Sequence, residues 1–95
     1  MFVIKLTYKK EIELIDKLRP AHLNFLDKYY EQEIFIASGR QIPLKGGVII
    51  AVCQSKEKLE EIIKEDPFYK EEVADFEIIE FSPNKFHPKL KDLVN

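Results

Sequence analysis

The run Val48-Ile49-Ile50-Ala51-Val52-Cys53 is apolar at every position. Its β-branched residues favour an extended strand, and a strand sends successive side chains to opposite faces of its sheet. A strand with one wet face alternates apolar and polar residues, so this one belongs to a sheet whose two faces both leave water. Ile34–Gly39 behaves alike, with Ile34 and Ile36 on one side and Phe35 and Ala37 on the other. Ninety-five residues make one domain. That domain must cover two apolar sheet faces with a single domain's helices, a demand that few folds meet.

Local patterns supply the remaining elements. Phe2–Tyr8 alternates, with Phe2, Ile4, Leu6 and Tyr8 on one face, and predicts a first strand. From Glu11 the period becomes helical, as Ile15, Leu18, His22, Phe25 and Tyr29 recur at spacings of three and four. Pro20 falls inside this pattern, so the helix either restarts there or kinks. The segment Gln41 to Gly47 reads as a connection between the two apolar strands. Ser55 is placed to cap a helix whose apolar face is Leu59, Ile62 and Ile63. Asp66-Pro67 reads as a cap and first-turn proline opening a short helix that runs through Tyr69 to Val73. Phe76–Phe81 is the last strand, and Ser82–Asn95 a polar tail. The order is β-α-β-β-α-(α)-β, the split βαβ arrangement of ferredoxin-like α+β folds: a four-stranded antiparallel sheet with helices on one face. A second copy of the chain is the expected cover for the other face, and the tail folding back across it is the competing one.

Composition removes classes of function without naming one. Fifteen basic against 17 acidic residues argue against nucleic acid as the partner, because such binding needs a basic surface. No stretch approaches the roughly 20 apolar residues of a membrane span, and the first residues lack a signal-peptide layout. The expectation is a cytoplasmic protein. One cysteine, Cys53, excludes an internal disulfide or a cysteine-based zinc site, and two histidines leave little for any metal site. Cys53 reads as a small buried apolar side chain. No cofactor is expected.

Four residues carry chemistry worth weighing. His22 sits on the apolar stripe of the first helix, either as a half-buried histidine bonded to a carbonyl or as a general base. Asp66 is a good helix cap, and its carboxylate has lone pairs enough both to cap and to orient His22. Arg19 precedes His22 by three residues and shares its face if the helix is continuous; it is a solvated surface residue or a holder of a substrate carboxylate. Ser38, before Gly39, either bonds to His22 beside a pocket or marks a strand-end turn with Gly39 at an unusual backbone angle. Gly46-Gly47 is too short for a phosphate loop. His87, in the tail, carries no assignment.

Three segments together resemble the YciI-like (YCII-related) family. They are Arg19-Pro20-Ala21-His22-Leu23; Ala37-Ser38-Gly39 followed by Gly46-Gly47-Val48-Ile49-Ile50-Ala51; and Glu65-Asp66-Pro67-Phe68-Tyr69. The likeness runs from Phe2 to Phe86, so residues 1–86 are read as the domain and 87–95 as a C-terminal tail. It implies a dimeric ferredoxin-like α+β barrel in which two sheets face each other. It also implies an active site built on the histidine of the first segment and the aspartate of the third, His22 and Asp66 here. One branch resembling the family removes chloride from a chlorinated hydroxyquinol breakdown intermediate, which suggests proton abstraction or elimination. This chain departs from the family pattern at Tyr69-Lys70-Glu71-Glu72-Val73, where many members carry a small residue, and in its longer tail.

The expectation is a small homodimeric enzyme-like protein in which His22 and Asp66 form an acid/base pair acting on a small organic molecule. Arg19 and Ser38 are the candidate substrate contacts. The alternative is a non-catalytic binding or accessory module in which His22 and Asp66 are structural. A weaker third reading is a regulatory domain that acts through its sheet surface.

Overall fold

The computed structural model of the chain describes residues 1–94. It contains β1 (Phe2–Tyr8), α1 (Ile12–Glu31), β2 (Phe35–Arg40), β3 (Gly46–Ala51), α2 (Lys56–Ile63), α3 (Pro67–Lys70) and β4 (Ala74–Glu80). A 3-10 turn at Pro88–Leu90 and a helical turn, α4 (Lys91–Val94), follow in the tail. The four strands form one antiparallel sheet in the order β2-β3-β1-β4, the α+β ferredoxin-like topology expected from the element order. No helix among the described residues is long and apolar enough to cross a membrane.

The helix starts follow the local chemistry. Ser55 Oγ accepts the Lys58 amide hydrogen at 3.1 Å and caps α2. Asp66 caps α3 by accepting from the Phe68 amide at 2.9 Å, and Pro67 occupies the first turn. Helix α1 runs unbroken through Pro20 and does not restart there. A proline inside a helix removes one hydrogen bond and crowds the preceding turn, so burial of the α1 stripe on the sheet outweighs that loss. Ile15, His22, Phe25, Leu26 and Tyr29 form the stripe.

Strand limits differ from the apolar runs because backbone pairing sets them. Gly46 and Gly47 are not a connection but the first residues of β3, opposite Thr7 and Leu6. A side chain at Gly46 would overlap the Leu6 carbonyl, so only glycine lets β1 and β3 approach there. The strand ends at Ala51, and Val52 and Cys53 lie beyond it; Cys53 packs half-buried against the core. Strand β4 starts at Ala74, two residues before the apolar pattern, and α3 ends at Lys70, short of Val73. Gly39 lies within β2 with no positive φ, which removes the strand-end turn considered for Ser38-Gly39.

The register sorts the apolar residues. Phe2, Ile4 and Leu6 of β1, Ile49 and Ala51 of β3 and Phe35 of β2 point toward the helices and are buried. Val3, Val48, Ile50 and Ile79 point the other way, and Ile79 is 48% exposed. The face away from the helices therefore carries an apolar patch beside Lys5, Thr7, Asp75 and Glu77. The tail does not cover the middle of the open face. Its Asp92 and Leu93 instead border a surface hollow with Ile34, Val52 and Cys53, at one end of the sheet.

Candidate functional site

A cavity of about 320 Å³ lies between α1 and the β2–β3 half of the sheet. Arg19, His22, Leu23 and Leu26 reach it from α1 at the i, i+3, i+4, i+7 spacing of a single helix face. Leu6, Ser38, Arg40, Gly47 and Ile49 meet them from the helix-facing side of the sheet, with Phe68 of α3 at the back. Its volume is at the small end of the range for ligand pockets.

His22 is 8% exposed, and its Nδ1 lies 2.8 Å from Oδ1 of Asp66, which is fully buried. A carboxylate only accepts, so the hydrogen of this contact belongs to Nδ1. The same Oδ1 accepts the Phe68 amide hydrogen. Capping and orienting are thus combined in one oxygen, across 44 residues of sequence. Oδ2 is buried and takes no donor among the described residues, so the carboxylate's hydrogen bonds both run through Oδ1. Phe68 fixes the remaining freedom of the ring: it stacks on His22 with centroids 4.1 Å apart and planes 7° from parallel. Nε2 has no hydrogen-bond partner among the described residues, and His22 is one of the residues that line the cavity. An imidazole held this way presents a lone pair to whatever occupies the cavity.

A second set of contacts holds the Asp66 segment on α1. Glu65 accepts from Lys28 Nζ at 2.8 Å and from the Tyr29 hydroxyl at 2.6 Å. The Lys28 and Tyr29 hydrogen bonds keep the Glu65 carboxyl below the usual carboxylate range. Burial, together with the bond to Glu65, pushes the Tyr29 phenol above its ordinary value. Aspartate and histidine are therefore registered by neighbours as well as by each other.

The other two candidates are placed differently from each other. Arg19 lies on the His22 face of α1, its side chain 19% exposed, and bonds to Asp16 at 3.1 Å. Ser38 lines the cavity but does not bond to His22; its Oγ is 2.6 Å from the Tyr30 hydroxyl. The reason is geometric. Tyr30, which takes the Ser38 hydroxyl, lies eight residues along α1 from His22, more than two helical turns away. Arg40 is a lining residue that motif reading passes over. It stands two residues after Ser38, and the two-residue period of a strand puts both on one face.

The fold and the paired side chains define a ferredoxin-like α+β domain with a buried histidine–carboxylate pair at a small, mainly apolar cavity. A model of the YCII-related domain matches residues 1–82, and the chain belongs to that family. Its fold is similar to that of 5-chloro-2-hydroxyhydroquinone dehydrochlorinase from Burkholderia phenoliruptrix AC1100, solved in complex with 2,5-dihydroxybenzoquinone. The two share 15% sequence identity and a TM-score of 0.74, over 85% of this chain and 92% of that one. Among proteins of curated function, none matches this sequence.

Proposed function

We propose that the chain is a small-molecule enzyme in which His22 acts as general base and Asp66 as the carboxylate that orients it. The observation that carries this reading is the 2.8 Å Nδ1–Oδ1 bond, fixed in a buried setting, on a histidine that lines an apolar cavity. Nε2 takes a proton from carbon next to a carbonyl or conjugated group. The C–H electron pair then forms an enolate, or expels a leaving group from the adjacent carbon as a new double bond forms. Asp66 supplies counter-charge to the imidazolium as it appears. A positioned base of this kind contributes about 10²–10⁴-fold in rate, which suits an already activated substrate. Arg19 serves as a substrate contact, and Ser38 contributes through its hydroxyl pair with Tyr30. Membership of the YCII-related family and the likeness to a dehydrochlorinase support this reaction type.

The capping bond from Asp66 to Phe68 favours a second reading, a binding module in which the pair is structural. Solvent-deuterium incorporation separates the two. Small one-ring carbon acids incubated in D₂O and followed by proton NMR should exchange or eliminate faster with the native protein. His22→Gln should lose that acceleration by about 10²-fold or more. Equal rates with both proteins would support the binding module.

We infer also that two copies pair through their helix-free faces, since Val3, Val48, Ile50 and Ile79 form an apolar patch on the face away from the helices. Residues 1–86 are the functional domain in this reading, and 87–95 an appendage.

A further inference from the structure

We propose that Arg40 determines specificity and restricts the cavity to anionic ligands, carboxylates of one-ring size or smaller. The inference rests on the cavity being a ligand site, as in the preceding reading, and adds the class of molecule it takes. It begins with a charge balance. The whole chain is net acidic, at −2, yet no aspartate or glutamate lines the cavity. With His22 the neutral base of that reading, two lining groups are cationic, Arg19 and Arg40. Arg19 is answered by Asp16 at 3.1 Å. Arg40 has no acidic partner among the described residues. Arg40 is thus the lining cation that no carboxylate answers among the described residues.

An exposed arginine at the end of an edge strand is ordinarily a solvated residue, and register is what distinguishes this one. Arg40 pairs with Gly47, and both lie on the helix-facing side with Ser38, Ile49 and Leu6. Gly47 has no side chain to fill the space opposite. Arg40 thus lines the cavity from the helix-facing side of the sheet. A planar guanidinium matches a planar carboxylate through two parallel hydrogen bonds, which a neutral amide or alcohol does not reproduce. Apolar walls from Leu23, Leu26 and Ile49 take the ligand's carbon skeleton, and the volume of about 320 Å³ limits its size.

The test uses benzoate as probe, with benzamide and benzyl alcohol as neutral counterparts, titrated at constant ionic strength and followed on the amide cross-peaks of His22 and Phe68. The native protein should bind benzoate at least about tenfold more tightly than either neutral compound, the range of a charge-assisted hydrogen bond. Arg40→Gln should erase that preference without changing the affinity for benzyl alcohol. Its side chain is exposed, so the variant keeps the fold, as its remaining cross-peaks would show. Equal binding of anion and neutral probes, no saturable benzoate binding, or a preference that survives Arg40→Gln would each overturn the proposal. His22→Gln keeps the two readings apart. If it abolishes deuterium exchange while anion preference is missing from the native protein, only the Arg40 inference falls. If anion preference is present but His22→Gln leaves exchange unaltered, only the general-base reading falls.

Discussion

Asp66 does two jobs through one oxygen, and a pair of substitutions separates them. Asn keeps an acceptor for the Phe68 amide and for Nδ1–H but removes the charge; Ala removes everything. Asp66→Ala should lower stability by about 1 kcal/mol through the lost cap and release the ring, so that both imidazole tautomers are populated. Asp66→Asn should stay as stable, keep the Nδ1–H tautomer and lose only the acceleration that the counter-charge provides. Nitrogen-15 shifts of the His22 ring, measured above its titration, read the tautomer directly. A ring unchanged in Asp66→Ala would mean that stacking on Phe68 alone orients it. His22 and Asp66 were legible as candidates because each stands in a local pattern that gives it a reason to exist. Their 2.8 Å contact was not legible, since no local rule relates positions 44 apart. Arg40 lay in no motif at all, and only its two-residue offset from Ser38 hinted at its face.

At the scale of elements, α1 is held in place by packing at the expense of its own backbone. Pro20 is exposed and lies mid-helix, so Pro20→Ala restores a hydrogen bond and relieves the preceding turn. Urea unfolding should show a gain of roughly 1–3 kcal/mol. Unchanged stability would show that the helix has already absorbed the proline by local adjustment. The junction of α2 and α3 is fastened to α1 through Glu65, and this fastening depends on acid. Lys28 first, then Tyr29, lowers the Glu65 titration below its unfolded value. The stabilisation is accordingly complete above the unfolded titration and lost as pH falls through the lower, folded one. The stability difference between the native protein and Glu65→Gln should thus shrink between about pH 6 and about pH 3, measured by urea midpoints at each. The effect will be small, because the pair is exposed. A difference constant across that range would place the value of Glu65 in packing rather than charge. Element identity was readable along most of the chain; the boundaries of β3, β4 and α3 were not, because partner strands and the next turn fix them.

At the scale of the whole molecule, two adjacent isoleucines offer a clean contrast. Ile49 faces the helices and is buried, whereas Ile50 faces away and is half-buried. Ile49→Asp should unfold the chain, since an unpaired charge in the core is too costly to retain. Ile50→Asp should leave a folded chain and convert a dimer to a monomer, read by sedimentation equilibrium at micromolar concentration. A native protein that sediments as a single 11.2 kDa species would end the pairing idea. The sequence by itself determined the element order, hence the split βαβ topology, and that β3 carries apolar residues to both faces of the sheet, because periodicity and capping act over a few residues. It also determined that His22 and Asp66 each sit where chemistry is possible. Only the tertiary structure decided that the two meet, that Ser38 turns to Tyr30, and that Arg40 lines the cavity with no acidic partner among the described residues. Those facts depend on strand register and on how α1 lies across the sheet, which are set by the packing of the whole core and by no segment of it alone.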